Sequence, residues 1–286
     1  MEENNDKPET NVKATIDAVT GLVKAVPVYQ DVLQPSAKQI GQSLEIVTKT
    51  VNIALAPIKA LVWGYEKIEE VISTSVSEKL KNVLKENITT PPLQVAGPAI
   101  EALRFSGHDI NLRELYANLL ATAMDKTTIH KAHPGFVEVI KNMASDEALL
   151  IQCFIRALEY PIIDIHSKYK DPNKGYTIAF GNYSHFHKIV VFQQPELVPA
   201  YINNLCRLGL LEIPFGMSFA KPYIYDLFEV DTVFIELKEQ IEKDLERVIS
   251  LKPKTLKLTA YGKQFVDSVV KDKNNTDSIT GFVIWP

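Results

Sequence analysis

Between Ala37 and Leu84 apolar residues recur at spacings of three and four, with Val47, Val51, Leu55 and Ile58 as the clearest run. That spacing stacks them on one side of an α-helix and demands something for that side to pack against. A shorter stretch, Ala14 to Ala25, has the same periodicity. Prolines punctuate both: Pro27 and Pro35 bracket the first connection, Pro57 is expected to kink or divide the second helix, and Pro91-Pro92 should end the section. The first part of the chain therefore reads as a helical hairpin or one long bent helix. Its later half, Glu66 to Glu86, alternates Glu and Lys around Ile68, Val71, Ile72, Val76, Leu80 and Val83, the pattern of a solvated or self-associating helix. Ahead of it, MEENNDKPETN is polar and acidic, without the basic and apolar regions of a secretory signal, and residues 1–12 read as a disordered tail.

The most apolar stretch, Val51 to Tyr65, is interrupted by Pro57 and Lys59 and falls short of the roughly 20 residues that a bilayer-spanning helix needs. The expectation is a buried helix in a bundle, with Trp63 and Tyr65 giving its end the character of a membrane-surface or partner-facing segment. A second helical block follows. Gly97-Pro98 opens a segment through Leu103, and Asp109 is placed to cap a helix from Leu112 to Met124 whose residues Leu112, Leu115, Tyr116, Leu119, Leu120 and Ala123 share a face. A third helix runs from Pro134 to Met143. His130 and His133 flank the intervening turn and read as solvated, because no Cys, Asp or Glu stands at metal-ligand spacing from them.

From Ser145 the pattern changes. Ser145-Asp146-Glu147 starts a helix with an acidic first turn, and Pro195-Glu196 starts another with Leu197, Tyr201, Leu205 and Leu208 on one face, closed by Gly209 ahead of a strand at Leu210-Leu211-Glu212-Ile213. Lys254 to Leu258 reads as a short strand that turns at Thr259 into a last helix ending near Val270. Helix, glycine stop, strand, strand and closing helix resemble a winged-helix unit, with a helix Val233 to Ile249 (Phe234, Leu237, Ile241, Leu245 and Val248 inward) inserted between the wing strands. With 286 residues, about two domains are expected. The fold class is mainly α: an N-terminal helical bundle over 13–144, a winged-helix-like α+β unit with a helical insertion over 145–271, and a C-terminal tail over 272–286.

Chemistry-bearing patterns are sparse. The sequence holds no phosphate-cradling G-x-x-x-x-G-K-[ST] or G-x-G-x-x-G, no G-x-S-x-G, no H-E-x-x-H and no C-x-x-C, so no catalytic residue, cofactor, metal or small-molecule substrate is assigned. The nearest thing to a cluster is His185 and His187 on one side of a strand, with Asp164 and His166 upstream, although the better reading is a surface strand or loop rich in Tyr and His, with Gly175 and Gly181 bounding a turn-rich region. Cys153 and Cys206 lie in apolar helical contexts, as buried free thiols of a reducing, cytoplasmic compartment do. A net charge of −4 and a pI near 5.9 give no global pull toward nucleic acid. The candidate recognition helix, Glu196 to Leu208, offers only Arg207 as a cation, a poor set for phosphate neutralisation. A protein partner or self-association through Tyr201, Asn204 and Arg207 is therefore favoured over nucleic acid, and a membrane surface is the remaining alternative.

Four segments carry a family resemblance: PPLQVAGPAIEALRFSGHDINLRELYANLLATAMD, HPGFVEVIKNMASDEALLI, NNLCRLGLLEI and KLTAYGKQFV. Together they resemble the Abi-alpha family over roughly residues 40 to 270, the second half of the first segment and HPGFVEVIKNMASDEA being the specific part. The resemblance implies a cytoplasmic bacterial protein of abortive phage infection, acting as an effector or a sensor, and supplies no catalytic residue. A non-enzymatic interaction module is the favoured expectation; a membrane-active effector exposing residues 51–65 and a winged-helix DNA-binding regulator are the alternatives.

Overall fold

A computed structural model describes residues 44–61 and 69–274, which belong to one compact unit, 43–286. The expected tail 1–12, the helix Ala14 to Ala25, the residues Trp63 and Tyr65, and most of the tail 272–286 lie outside the described residues. Among the described residues six helices come first: α1 (Leu44–Leu61), α2 (Glu69–Leu80), α3 (Leu93–Ser106), α4 (Ile110–Ala123), α5 (Gly135–Lys141) and α6 (Ser145–Gln152). Pro57 does not divide α1 and Pro98 does not open α3; both sit inside their helices, and α3 starts at Leu93, directly after Pro92. A proline frees the carbonyl four residues back. Here those carbonyls belong to Ile53 and Gln94, both exposed, where water can take the lost bond.

The helical body is built on the stripes legible in sequence. Helix α1 buries Val47, Val51, Leu55 and Ile58, and α2 buries Ile72, Val76 and Leu80 while packing against α1 and α4. The expectation of a solvated or self-associating helix over 66–86 is thereby corrected: the apolar face of α2 is core. The apolar side of residues 51–58 is buried, as expected of a bundle helix, and no helix among the described residues is long and apolar enough to cross a membrane. Asp109 caps α4 as expected, its Oδ1 accepting the amides of Asn111 at 2.9 Å and Leu112 at 3.1 Å.

Four strands form one antiparallel sheet in the order β2-β1-β4-β3: β1 (Glu159–Tyr169), β2 (Tyr176–Tyr183), β3 (Leu211–Glu212) and β4 (Arg247–Leu258). Strand β4 registers with β1 along its length, from Glu159 opposite Lys257 to Tyr169 opposite Arg247. Three further helices intervene: α7 (Val198–Arg207) before β3, and α8 (Tyr223–Glu229) and α9 (Thr232–Ile241) between β3 and β4. The two expected wing strands do pair, Leu211 with Leu258 and Glu212 with Lys257, but as the short corner of a larger sheet. Of the segment expected as a Tyr- and His-rich surface strand or loop, the part up to Tyr183 is strand β2 of the β1–β2 hairpin, whereas His185 beyond it is buried and His187 lies in a 3-10 turn.

The expected helix 233–249 ends at Ile241, and β4 begins at Arg247 rather than Lys254. Asp244 turns the chain by accepting the Glu246 amide at 2.9 Å, which ends the helical register. Leu245, which the helical pattern placed inward, is exposed. Pairing with β1 then outweighs a periodicity that fits either structure.

Because opposed residues share a sheet face, the two faces can be read from the register. One face presents Ile163, Ile165, Tyr183, Ile249 and Leu251 to Tyr225, Phe228 and Phe234 of α8 and α9, forming a small second core. The other presents Tyr160, Ile162 and Leu256 to the main core, which runs without a break from Val47 to Val270 and so takes residues from both sides of position 144. The last helix, α10 (Ala260–Phe265), and the π-turn that follows close this body. Asn118 donates to the Val269 carbonyl at 3.0 Å and Thr122 to that of Ser268 at 2.7 Å, while Lys79 bridges Glu114 and Asp272.

Candidate functional site

The residues expected to meet a partner are turned largely inward. Tyr201 of α7 is buried and its hydroxyl donates to Asp146 Oδ2 at 3.2 Å; the same carboxylate accepts the amides of Gln193 at 3.0 Å and Gln194 at 2.9 Å. Asn204 donates to the Asn142 carbonyl and to Glu147 Oε2, each at 2.9 Å, and its own oxygen accepts from Arg207 Nε at 2.9 Å and Nη2 at 2.7 Å. Burial raises the pKa of Glu147, against the Ala144 amide, Asn204 and Arg207, which favour the charged form. The acidic start of α6 thus ties down the 193–194 segment and α7. Of the three named residues, only Arg207 is exposed.

The histidines separate. Strand β1 carries Asp164 and His166 on the sheet face away from α8, whereas His185, after β2, stacks on Phe228 of that helix at a centroid distance of 4.1 Å. Asp164 Oδ1 accepts from the Asn182 amide at 2.8 Å and from Lys254 Nζ at 2.7 Å. The imagined Asp164–His166–His185–His187 cluster is therefore not assembled, and among the described residues no group of three or more His, Cys, Asp or Glu could hold a metal. His130 is exposed, and His133 accepts the Gly135 amide through Nδ1 at 3.0 Å. Burial pushes both thiols up, Cys153 to about 12 and Cys206 to about 11, which leaves them protonated and unreactive.

His185 instead finds Asp231, the residue that caps α9. Its Nε2 lies 2.8 Å from Asp231 Oδ2, a carboxylate that Lys188 Nζ also approaches to 3.0 Å. Burial and the Lys188 charge hold His185 down to about 4, in spite of Asp231. Burial opposes the charged Asp231, but bonds from Lys188, Tyr183 and the Val233 amide outweigh it and bring the carboxyl to about 2. At neutral pH a neutral imidazole therefore faces a charged carboxylate across a contact of 2.8 Å. The arrangement looks like two thirds of a triad, yet His185 is 4% exposed and is sealed by Phe228 and Tyr183. It fastens β2 to α9. Asp231 escaped the sequence reading although an Asp directly before Thr-Val-Phe is an N-cap signal.

One surface open to solvent is the far end of the sheet. There Tyr176 and Ile178 of β2, Lys168 and His166 of β1, and Val248, Ser250 and Lys252 of β4 share a face, as the pairings His166–Ile178, Lys168–Tyr176, Lys168–Val248, His166–Ser250 and Asp164–Lys252 fix. Tyr176 is 57% and Ile178 58% exposed, and both lysines are exposed. His166 is buried beneath Tyr176, the rings stacked at 4.3 Å with 12° between their planes. A second open feature is the loop after β3, where Phe215 and Met217 project around Gly216, whose φ is +72°.

The sequence model of one protein family, described as Abi-alpha, abortive infection alpha, matches residues 64–269. No curated protein matches the chain. A solved structure, described as the uncharacterized protein from the hydrocarbon-degrading marine bacterium Alcanivorax borkumensis SK2, is similar at 19% identity, with 48% of this chain and 95% of that one covered and a TM-score of 0.33.

Proposed function

Because the chain belongs to the abortive infection alpha family, we propose that it acts in bacterial phage defence as a cytoplasmic, non-enzymatic interaction module. Abortive infection in general follows from that membership, and the family match is the observation that carries the reading. The assignment to binding rather than catalysis draws its support from where the reactive side chains are spent. His185 and Asp231 fasten strand to helix, Asp146 and Glu147 hold amide groups, and both thiols are kept protonated. Exposed apolar side chains, by contrast, stand free at several places on the surface, among them the open sheet end with Tyr176, Ile178 and Val248 and the loop holding Phe215 and Met217.

A winged-helix mode of DNA binding has less behind it. The helix that would enter a groove, α7, is engaged through Tyr201 and Asn204 with α6, and Arg207 is its one cation. The test of the reading is phage plating efficiency and culture survival at low and high multiplicity in cells expressing this chain alone. Fewer plaques, survival at low multiplicity and loss of the culture at high multiplicity are expected. Normal plaque numbers across a panel of phages would overturn it.

A further inference from the structure

Strands β1, β2 and β4 project their far end beyond the main core, and the charge there is opposite to that of the rest of the chain. Residues 164–183 and 243–254 hold Lys168, Lys170, Lys174, Lys243, Arg247, Lys252 and Lys254 against Asp164, Asp171, Asp244 and Glu246, a local excess of cations in a chain of net charge −4. Three of these lysines ring one side chain on the open face. Burial lowers the pKa of His166; Asp164 opposes the shift, and the charges of Lys168, Lys252 and Lys254 add to it. Lys254 is ion-paired with Asp164 at 2.7 Å. Lys168 and Lys252 are exposed, with no ion pair to a described residue.

Between them stands an aromatic ring held flat. Tyr176 lies parallel on His166, and His166 is itself buried, so the tyrosine has its inner π-face covered and its outer one turned to solvent. Ile178 extends the platform along β2, and Val248 borders it on β4, about 10 Å away across three strands. A sheet face that offers a fixed aromatic ring, aliphatic neighbours and flanking cations matches what an unpaired base on a phosphate backbone needs: a surface to stack on and charge to neutralise its phosphates. Duplex DNA, whose bases are already stacked, would use the lysines and leave Tyr176 idle. An acidic polypeptide without aromatic or apolar side chains would do the same.

We propose that the open end of the β2-β1-β4 sheet binds a single-stranded polynucleotide, with a base stacked on Tyr176 and the adjoining phosphates held by Lys168 and Lys252. This deepens the interaction-module reading and rests on it for its biological setting, while the binding itself stands on the face alone.

The experiment is fluorescence anisotropy of the full chain with a labelled mixed-sequence 20-mer, as single-stranded RNA and as single-stranded DNA, at several salt concentrations. The same strand annealed to its complement and polyglutamate serve as competitors. Two phosphates neutralised on a single strand predict a log–log salt slope of roughly −1.4 from this face. Tyr176→Ala should weaken binding roughly 5- to 150-fold with the slope unchanged. Lys168→Glu with Lys252→Glu should remove most of the slope. These side chains are exposed, so the variants keep the fold, and Lys263→Glu, beyond the C-terminal end of β4, makes half the double variant's change in net charge away from this face and should bind as wild type. A stronger RNA or DNA arm names the source of the strand.

No binding of either strand at low salt overturns the proposal. So does equal binding by wild type and Tyr176→Ala, or competition by duplex or polyglutamate as effective as by single strand. Phage protection read on the same proteins separates the two claims. Protection without strand binding leaves the defence reading standing and removes this one; strand binding without protection does the reverse.

Discussion

Replacing His185 by Gln should flatten the pH dependence of stability between pH 7 and pH 5. The imidazole has a pKa of about 4 in the folded chain against an ordinary value of 6.5. A lowered histidine pKa means that the unfolded state binds the proton first, so the fold loses stability as pH falls below 6.5 and has lost the full amount below about 4. At pH 5 the unfolded imidazole is almost wholly protonated and the folded one about a tenth so, which amounts to roughly 2 kcal/mol relative to pH 7; the full span would approach about 3 kcal/mol. With the side chain 4% exposed, solvent screening discounts this little. Asp231, held at about 2, stays charged throughout the window and loses its contribution only as pH falls from 3.8 toward that value. Glu147 works the other way, because a raised carboxyl pKa lets the fold gain stability on acidification, and His166 adds to the loss; both are present in either protein and cancel in the difference. Gln at position 185 can still donate to Asp231 without titrating. Urea denaturation of both proteins at pH 7, 6 and 5 reads the effect: wild type should lose about 2 kcal/mol more than His185→Gln. Parallel losses within about 0.5 kcal/mol would show that the imidazole is not the neutral, sealed group described above.

Leu55→Ala should cost about 2–5 kcal/mol in the same assay, since Leu55 is core, and neither protein should release dye from anionic vesicles; an unchanged midpoint would return residues 51–58 to the surface. Asp109→Ala removes the acceptor at the start of α4 and should cost about 1 kcal/mol in urea denaturation, with Asp109→Asn recovering most of it. At Gly262 a Cβ would stand 1.9 Å from the Leu210 carbonyl oxygen, so Gly262→Ala should destabilise by about 1–3 kcal/mol despite a gain of about 1 kcal/mol in helix propensity; a stabilised variant in thermal unfolding would refute that packing.

The stripes of α1, α2 and α4, the cap at Asp109, the stop at Gly209 and the closing helix after Thr259 were legible because each is a local device, written within a few consecutive residues. The sheet was not. RVISLKPKTLKL alternates weakly and follows a helix whose apolar spacing carries through Leu245 and Val248, so only its partner β1, some 80 residues earlier, decides that it is a strand. The same distance hid the sites. Tyr201 and Asn204 read as a surface pair on an amphipathic helix until the buried carboxylates of Asp146 and Glu147 claim them. Tyr176, Lys168 and Lys252 fall in three separate strands, and nothing in the sequence near any of them announces the other two.

Defence by binding through the open sheet end, and not by chemistry at the buried titratable groups, makes opposite demands on two sets of residues. Phage plating efficiency with two variants tests it most directly: His185→Gln, and the triple change Tyr176→Ala, Lys168→Glu, Lys252→Glu, each checked for wild-type expression. His185→Gln should protect as wild type does, and the triple variant should plate phage like cells without the protein. Protection kept by the triple variant and lost with His185→Gln would contradict it.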